Sequence, residues 1–360
     1  MRKLRIAQVA PLYDSVPPAF SGGTERVVSY LTEELVGLGH DVTLFASGDS
    51  RSRARLIAPC ARALGSTGAR VIDPLPLHYL MLEDVYRRID QFDLVHFHLD
   101  HLHFPLTRRH HPTSLTTLHG RLDLPHLPPL YDEYRDIPVV SISNAQREPL
   151  PKAAWLATVP HGIPLDLHRE GDGGDYLVFL GRISPEKRID RAIAIAEASG
   201  LKLKVAAKID GIDAAYFKRE IAPLMTKRCV EYLGEIDDDD KAELLRGARA
   251  LVFPVDWPEP FGLVMIEAMA CGTPVIAYRR GAVPEVIDDG VTGFIVDDLD
   301  SATLAVGKLG ELSRHAVRER FEARFSASAM ARAYVDVYRR LIDDAPITAP
   351  WRVDQLATVN

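Results

Sequence analysis

The stretch Glu259–Ala277 reads EPFGLVMIEAMACGTPVIA. Pro258 and Pro260 flank Glu259 and hold it out of a helix, because proline lacks an amide proton and restricts the residue before it. Gly262 permits a tight turn, and the run from Leu263 to Ala270 is apolar apart from Glu267. Gly272 stops it, with Pro274 just beyond, the usual order at a helix end. The spacing predicts a helix over 263–270. Its first amides, near Gly262–Val264, have no intrahelical partner and lie at the positive dipole end, so they form a ready anion site. Glu267 lies about one turn further, roughly 6 Å along the axis, where a carboxylate can reach a ribose whose phosphates sit at the helix start. Glu259 stays at the mouth, where a sugar would be.

Outward from this helix, short β-rich runs alternate with amphipathic runs, the pattern of parallel sheets joined by crossover helices. Strands are expected at Arg5–Ala10, Asp41–Ala46, Leu94–His98, Ser114–Leu118 and Val139–Ile142. The helix Glu25–Leu38 carries Val28, Leu31, Leu35 and Leu38 at helical spacing. Pro and Gly cluster from Pro149 to Pro164, and EGDGGD at Glu170–Asp175 is the best linker candidate. The pattern then restarts, with strands expected at Tyr176–Leu180, Leu203–Ala207, Val230–Leu233, Ala250–Pro254 and Val275–Ala277 and a helix at Asp190–Ala198. Ligands of doubly wound sheets sit outside the carboxyl ends of the strands, so two such halves face a common cleft. The last helix, Ser326–Ile342, has Met330, Tyr334, Val337, Tyr338 and Leu341 on one face and needs a surface to pack on.

The bulk properties narrow the partners. The 360 residues are 47% hydrophobic and 26% charged, ordinary for a globular protein of two domains. A net charge of −7 argues against nucleic acid as the main partner. The first 165 residues balance their charges and hold most of the 13 histidines, so the remainder carries the whole deficit. Cys60, Cys229 and Cys271 show neither metal spacing nor a disulfide framework, which fits a cytoplasmic protein. No apolar run is long enough to span a bilayer, since Gly262–Tyr278 is broken by Glu267, Gly272 and Pro274. Peripheral membrane contact stays open as an alternative, without positive support in the sequence.

Glu259 and Glu267, with seven residues between them and the helix stop behind, resemble the E-x7-E motif of the retaining glycosyltransferases of family four. The resemblance runs over nearly the whole chain and implies the GT-B architecture: an α/β protein of two doubly wound Rossmann-like domains, here 1–168 and 175–325, and a C-terminal helix, 326–345, that crosses back to the first domain. It implies a nucleotide diphospho-sugar as co-substrate, with UDP-glucose the expected donor, a hydroxyl acceptor, and no cofactor or metal. GGTE matches the glycine-rich loop after the first strand, and Gly22 and Gly23 there approach the donor phosphate or the acceptor. TLHG gives His119, which contacts the donor sugar in the family. GRISPEKR gives Arg182 and Lys187, which hold the diphosphate as negative charge builds on the leaving group. GEIDDDD places Ile236 beside the base. Gly262, Leu263, Val264 and Glu267 complete the donor site, and His119, Glu259, Arg182 and Lys187 form the catalytic set. VPHGIP carries His161 where the family has Asn. SISN gives Ser143 as a sugar or acceptor contact.

A second constellation competes. Val95–Phe104 reads VHFHLDHLHF, and H-x-H-x-D-H is a zinc signature of the metallo-β-lactamase hydrolases, with His96, His98, Asp100 and His101 as ligands. Placed in the first domain, the same residues are instead expected to wall the acceptor pocket, with His98 and Asp100 the contacts. The acidic run Asp237–Asp240 could be mistaken for a metal site and is expected to cap a helix over Lys241–Ala248. A nucleotide-sugar epimerase, a phosphorylase and a sugar-binding protein without catalysis remain alternatives on the same fold.

Overall fold

The computed structural model describes residues 2–19, 22–66 and 73–343. Its first sheet holds β1 (Arg5–Val9), β2 (Asp41–Phe45), β3 (Arg55–Ile57), β4 (Leu94–Phe97), β5 (Ser114–Thr117), β6 (Val139–Ser141) and β7 (Trp155–Thr158). They lie in the order β3-β2-β1-β4-β5-β6-β7, and every pair is parallel. Helices α1 (Gly23–Gly37), α2 (Leu75–Arg87), α3 (Phe104–His110) and α4 (Leu127–Glu133) cover its two faces.

The second sheet holds β8 (Tyr176–Arg182), β9 (Lys202–Lys208), β10 (Val230–Gly234), β11 (Ala250–Phe253), β12 (Val275–Tyr278) and β13 (Gly293–Val296), in the order β10-β9-β8-β11-β12-β13. These pairs are parallel too. Every residue of β11 and β12 is buried, because helices cover both faces of a parallel sheet. Around it lie α5 (Ile189–Ser199), α6 (Ala214–Tyr216), α7 (Asp238–Arg246), α8 (Leu263–Ala270), α9 (Val283–Val286), α10 (Leu299–Lys308) and α11 (Arg314–Arg324). This is the two-domain α/β arrangement expected from the sequence.

Helix α12 (Ala327–Asp343) returns to the first domain. It buries Met330, Tyr334, Val337 and Tyr338 in the core shared with α1, so the apolar face finds its partner. Residues 344–345 of the expected helix lie outside the described residues, as does Met1. The outgoing and returning chains touch: Ile163 N donates to Phe325 O at 2.9 Å and Ala327 N to Ile163 O at 2.8 Å.

Several boundaries differ from expectation. Strand β4 ends at Phe97, so His98 opens the turn that follows. Helix α7 starts at Asp238, not Lys241, because Asp237 caps it, accepting from Asp240 N at 2.9 Å. The Glu170–Asp175 segment is no loose tether. The Arg314 guanidinium donates to the carbonyls of Gly171, Ala248, Arg246 and Cys271, and so clamps that segment onto the second domain.

Candidate active site

The site begins at the N-terminus of α8. Gly262 has φ +86°, and a Cβ there would stand 2.7 Å from Met265 Cε, so only glycine makes this turn without strain. Gly22, before α1, has φ +147° with Pro18 pressed against it. A Cβ on Gly23 would lie 3.6 Å from Leu263 Cδ1. The glycine-rich loop of one domain therefore abuts the helix start of the other, bringing together sequence segments about 240 residues apart.

Glu259 is only 7% exposed. Its Oε2 accepts from Lys187 Nζ at 2.5 Å and from Trp257 Nε1 at 2.8 Å. The Lys187 ammonium also lies 4.9 Å from the Trp257 ring centroid, a favourable cation–π distance. The backbone of Glu259 is anchored as well, its carbonyl accepting from Ala282 N at 2.9 Å. Two residues far apart in sequence, both singled out from it, thus form one charge-assisted pair. Trp257 was not singled out, although it stands two residues before Glu259 in WPEPFG.

Arg182, at the end of β8, pairs with Glu186 at 3.2 Å and Asp210 at 3.4 Å and remains largely open to solvent. Ile236 is half-buried against the core around α8. One turn into α8, Glu267 Oε1 lies 2.8 Å from Lys241 Nζ. Lys241 also pairs with Asp238 at 2.9 Å, and Asp238 with Arg26 of α1 at 2.6 Å. Burial pushes the Glu267 carboxyl up, but the Lys241 ammonium outweighs it, and the group titrates below the usual carboxylate range. Lys241 and Arg26 are further residues that sequence reasoning missed. They were hidden among ordinary surface-type charges.

From the first domain comes His119, just past β5. Its Nε2 lies 2.8 Å from His98 Nδ1, and its ring stacks on His161 with centroids 5.2 Å apart. His161 in turn meets the edge of Phe261 at 5.1 Å, one residue before Gly262. This departure from the family's Asn therefore packs between His119 and the second domain. Gln146 holds the His119 turn by donating to Leu118 O and Gly120 O at 2.9 and 2.8 Å. Burial pushes the His119 imidazole down to about 3, so it is neutral near pH 7.

The remaining candidates fare differently. Ser143 is buried, its hydroxyl donating to Pro260 O at 2.7 Å and accepting from Gln146 N at 3.1 Å. It ties the domains together and has no free hydroxyl for a sugar. Glu285 reinforces that tie, accepting from Asn144 N and Ala145 N, both at 2.8 Å. His98 is buried with both ring nitrogens engaged, by His119 and by Gln8 Oε1 at 2.8 Å, so it is no open acceptor contact. Asp100 is exposed, in a turn with φ +49°.

The other histidines of the cluster do not converge on a metal. His96 binds Tyr338 Oη and Thr117 Oγ1, each at 2.7 Å. His103 stacks on Phe97 and binds Thr107 and Thr116. Among the described residues no group of three or more His, Cys, Asp or Glu side chains is placed to hold a metal ion. A sequence spacing suited to zinc is thus occupied by protein–protein hydrogen bonds.

Residues 21–166 match the model of Glycosyltransferase Family 4, and residues 168–323 match that of Glycosyl transferases group 1. The chain belongs to the family-four glycosyltransferases. This family-four chain is 33% identical over 222 residues to D-inositol 3-phosphate glycosyltransferase 2 of Catenulispora acidiphila, covering 52% of this chain and 51% of that relative. It therefore spans about half the length of the curated relative it matches. The crystal structure of AviGT4, a glycosyltransferase involved in Avilamycin A biosynthesis, is 25% identical, with a TM-score of 0.72 over 95% of this chain and 99% of that one. The sucrose-phosphate synthase of Thermosynechococcus elongatus is 22% identical and shares the fold, with a TM-score of 0.76 over 96% of this chain and 100% of that one. The architecture is that of the GT-B glycosyltransferases. Among the described residues no helix is long and apolar enough to cross a membrane.

Proposed function

We propose that this chain transfers a hexose from a nucleotide diphospho-sugar to a hydroxyl acceptor with retention at the anomeric carbon. The observation that carries the reading is the Lys187–Glu259 pair at 2.5 Å, set at the open amides of α8 with the Gly23 loop opposite. The amides and Lys187 suit a diphosphate, and Glu259 suits the sugar's hydroxyls. Glu267 suits the ribose and Ile236 the base. Arg182 suits the diphosphate, which would compete with Glu186 and Asp210 for its guanidinium. UDP-glucose is the favoured donor.

The favoured course is departure and attack on one face of the sugar. The bond between the anomeric carbon and the phosphate oxygen breaks, the acceptor oxygen bonds to that carbon, and the leaving phosphate oxygen takes the acceptor proton. The chain's residues then act by position and charge, with no cofactor and no metal. The histidine-rich first domain is the acceptor side, and Asp100 is its exposed candidate contact. A relative that carries inositol 3-phosphate in its name makes a polyol phosphate the first acceptor to try. We place the reaction in the cytoplasm, where Cys60, Cys229 and Cys271, free in this structure, stay reduced. The test is acceptor-dependent release of nucleoside diphosphate in a panel of nucleotide sugars. Release without an acceptor-derived product would reject transfer in favour of hydrolysis or epimerisation.

A further inference from the structure

The histidine cluster carries an order that transfer chemistry alone does not require. Gln8 is the fourth residue of β1, fully buried beside the apolar Ile6, Ala7 and Val9. Its Nε2 donates to Tyr338 Oη at 3.1 Å, and its Oε1 lies 2.8 Å from His98 Nε2. A carbonyl oxygen only accepts, so the proton must sit on His98 Nε2. Burial holds the His98 ring neutral, and a neutral imidazole carries one N–H. His98 Nδ1 is therefore bare. It lies 2.8 Å from His119 Nε2, a contact that requires the proton on His119 Nε2. His119 Nδ1 is then a lone pair, and among the described residues that atom is buried without a hydrogen-bond partner.

The second arm agrees with the same assignment. Tyr338 accepts from Gln8 and can donate to His96 Nδ1 at 2.7 Å. His96 Nε2 then donates to Thr117 Oγ1 at 2.7 Å, and Thr117 to Tyr334 Oη at 2.8 Å. One amide orientation thus directs both arms, from the returning helix α12 to the residue beside the site.

We infer that Gln8 and His98 are positioning residues that fix the tautomer of His119, leaving its Nδ1 as the acceptor for a hydroxyl of the transferred sugar. A buried acceptor without a partner is costly, and a bound hydroxyl would relieve that cost. The hydroxyl partner rests on the transferase reading; the tautomer does not.

The tautomer is read by nitrogen NMR of histidine-labelled wild-type protein without substrate, with the His119 signals assigned by their loss in His119→Gln. The expected spectrum shows His119 protonated on Nε2 and bare on Nδ1. Protonation on Nδ1 would overturn the inference. In Gln8→Leu the ring should populate both tautomers, and Gln8→Glu, which keeps an acceptor toward His98, should restore one. Gln8→Leu should weaken UDP-glucose up to about tenfold, as expected for a single lost hydrogen bond, and leave UDP unchanged. Equal weakening of both ligands would mean general loosening and would also overturn it. Failure of the wild type to bind any nucleotide sugar would contradict the function and with it the hydroxyl partner, while the NMR result still decides the tautomer.

Discussion

The two domains prepare their sides of the cleft by opposite means. The second uses charge: Lys187 on Glu259, Lys241 on Glu267, Arg182 between Glu186 and Asp210. The first uses neutral rings. His96, His98 and His161 are buried and His119 is half-buried, with centroids 4.0, 5.1 and 5.2 Å apart along the column, and desolvation holds each below the ordinary imidazole range. In the proposed reaction a diphosphate leaving group gains charge and would be met by cations and helix amides. A sugar hydroxyl stays neutral and, in the proposed site, would be met by a directed lone pair. The contrast suggests that charge serves the departing group here while hydrogen-bond direction serves the sugar.

Breaking the charged side should have the largest effect. Lys187→Ala or Glu259→Ala is expected to lower kcat by roughly 10²–10³-fold, the scale of losing one preorganised electrostatic contact, with far-ultraviolet circular dichroism unchanged. Near-normal turnover in either variant would remove that residue from the chemistry.

Acidification should separate the domains. A histidine whose folded pKa is depressed stays neutral while the unfolded chain binds a proton below about 6.5. The stability it contributes is full above that pH and is lost as pH falls toward the folded value, about 3 for His119. Glu267, also depressed, contributes stability above an unfolded value near 4.5 and loses it only at lower pH. Between pH 6.5 and 5, denaturant unfolding should therefore report the buried histidines, the column together with His103, at up to ~1.4 kcal/mol per pH unit for each imidazole, offset in part by Glu25, whose carboxyl is pushed up to about 7 by burial. His119→Gln should remove about one proton from that slope, whereas Glu267→Gln should leave it unaltered. A wild-type slope in His119→Gln would contradict the neutral column.

Smaller effects sharpen the geometry. Gly262→Ala forces φ +86° and the Met265 contact onto a side chain and should cost about 1–3 kcal/mol of stability, with weaker nucleotide binding by calorimetry. Asp237→Ala removes the cap of α7 and should cost about 1 kcal/mol in denaturant unfolding. It should leave activity close to wild type, as fits a capping residue rather than a metal ligand.

Helix α8 was legible to the residue because Gly262, Gly272 and Pro274 punctuate an apolar run. The alternation of elements was enough for two doubly wound domains. Strands β3, β7 and β13 escaped notice: β3 is three residues long, β7 lies in a Pro- and Gly-rich stretch, and β13 is four residues that begin at Gly293 straight after the turn DDGVT. The candidate site split along the same line. Lys187 and Glu259 could be read because each sits in a local motif with its own chemistry. His98 was misplaced as an open contact because its partners are remote in sequence. Gln8 lies 90 residues away, and Tyr338, which reaches His96, lies 242 residues away on a helix that crosses between domains. Gln8 itself was visible as a polar residue inside a buried strand, but its role needs the sheet order that sets β1 beside β4.

The most direct test of the account is the anomeric configuration of the product formed from an α-linked nucleotide sugar and an acceptor hydroxyl, read by proton NMR during turnover. The account predicts an α-glycoside, with one nucleoside diphosphate released per glycoside formed. A β-glycoside, or nucleotide release without any glycoside, would contradict it.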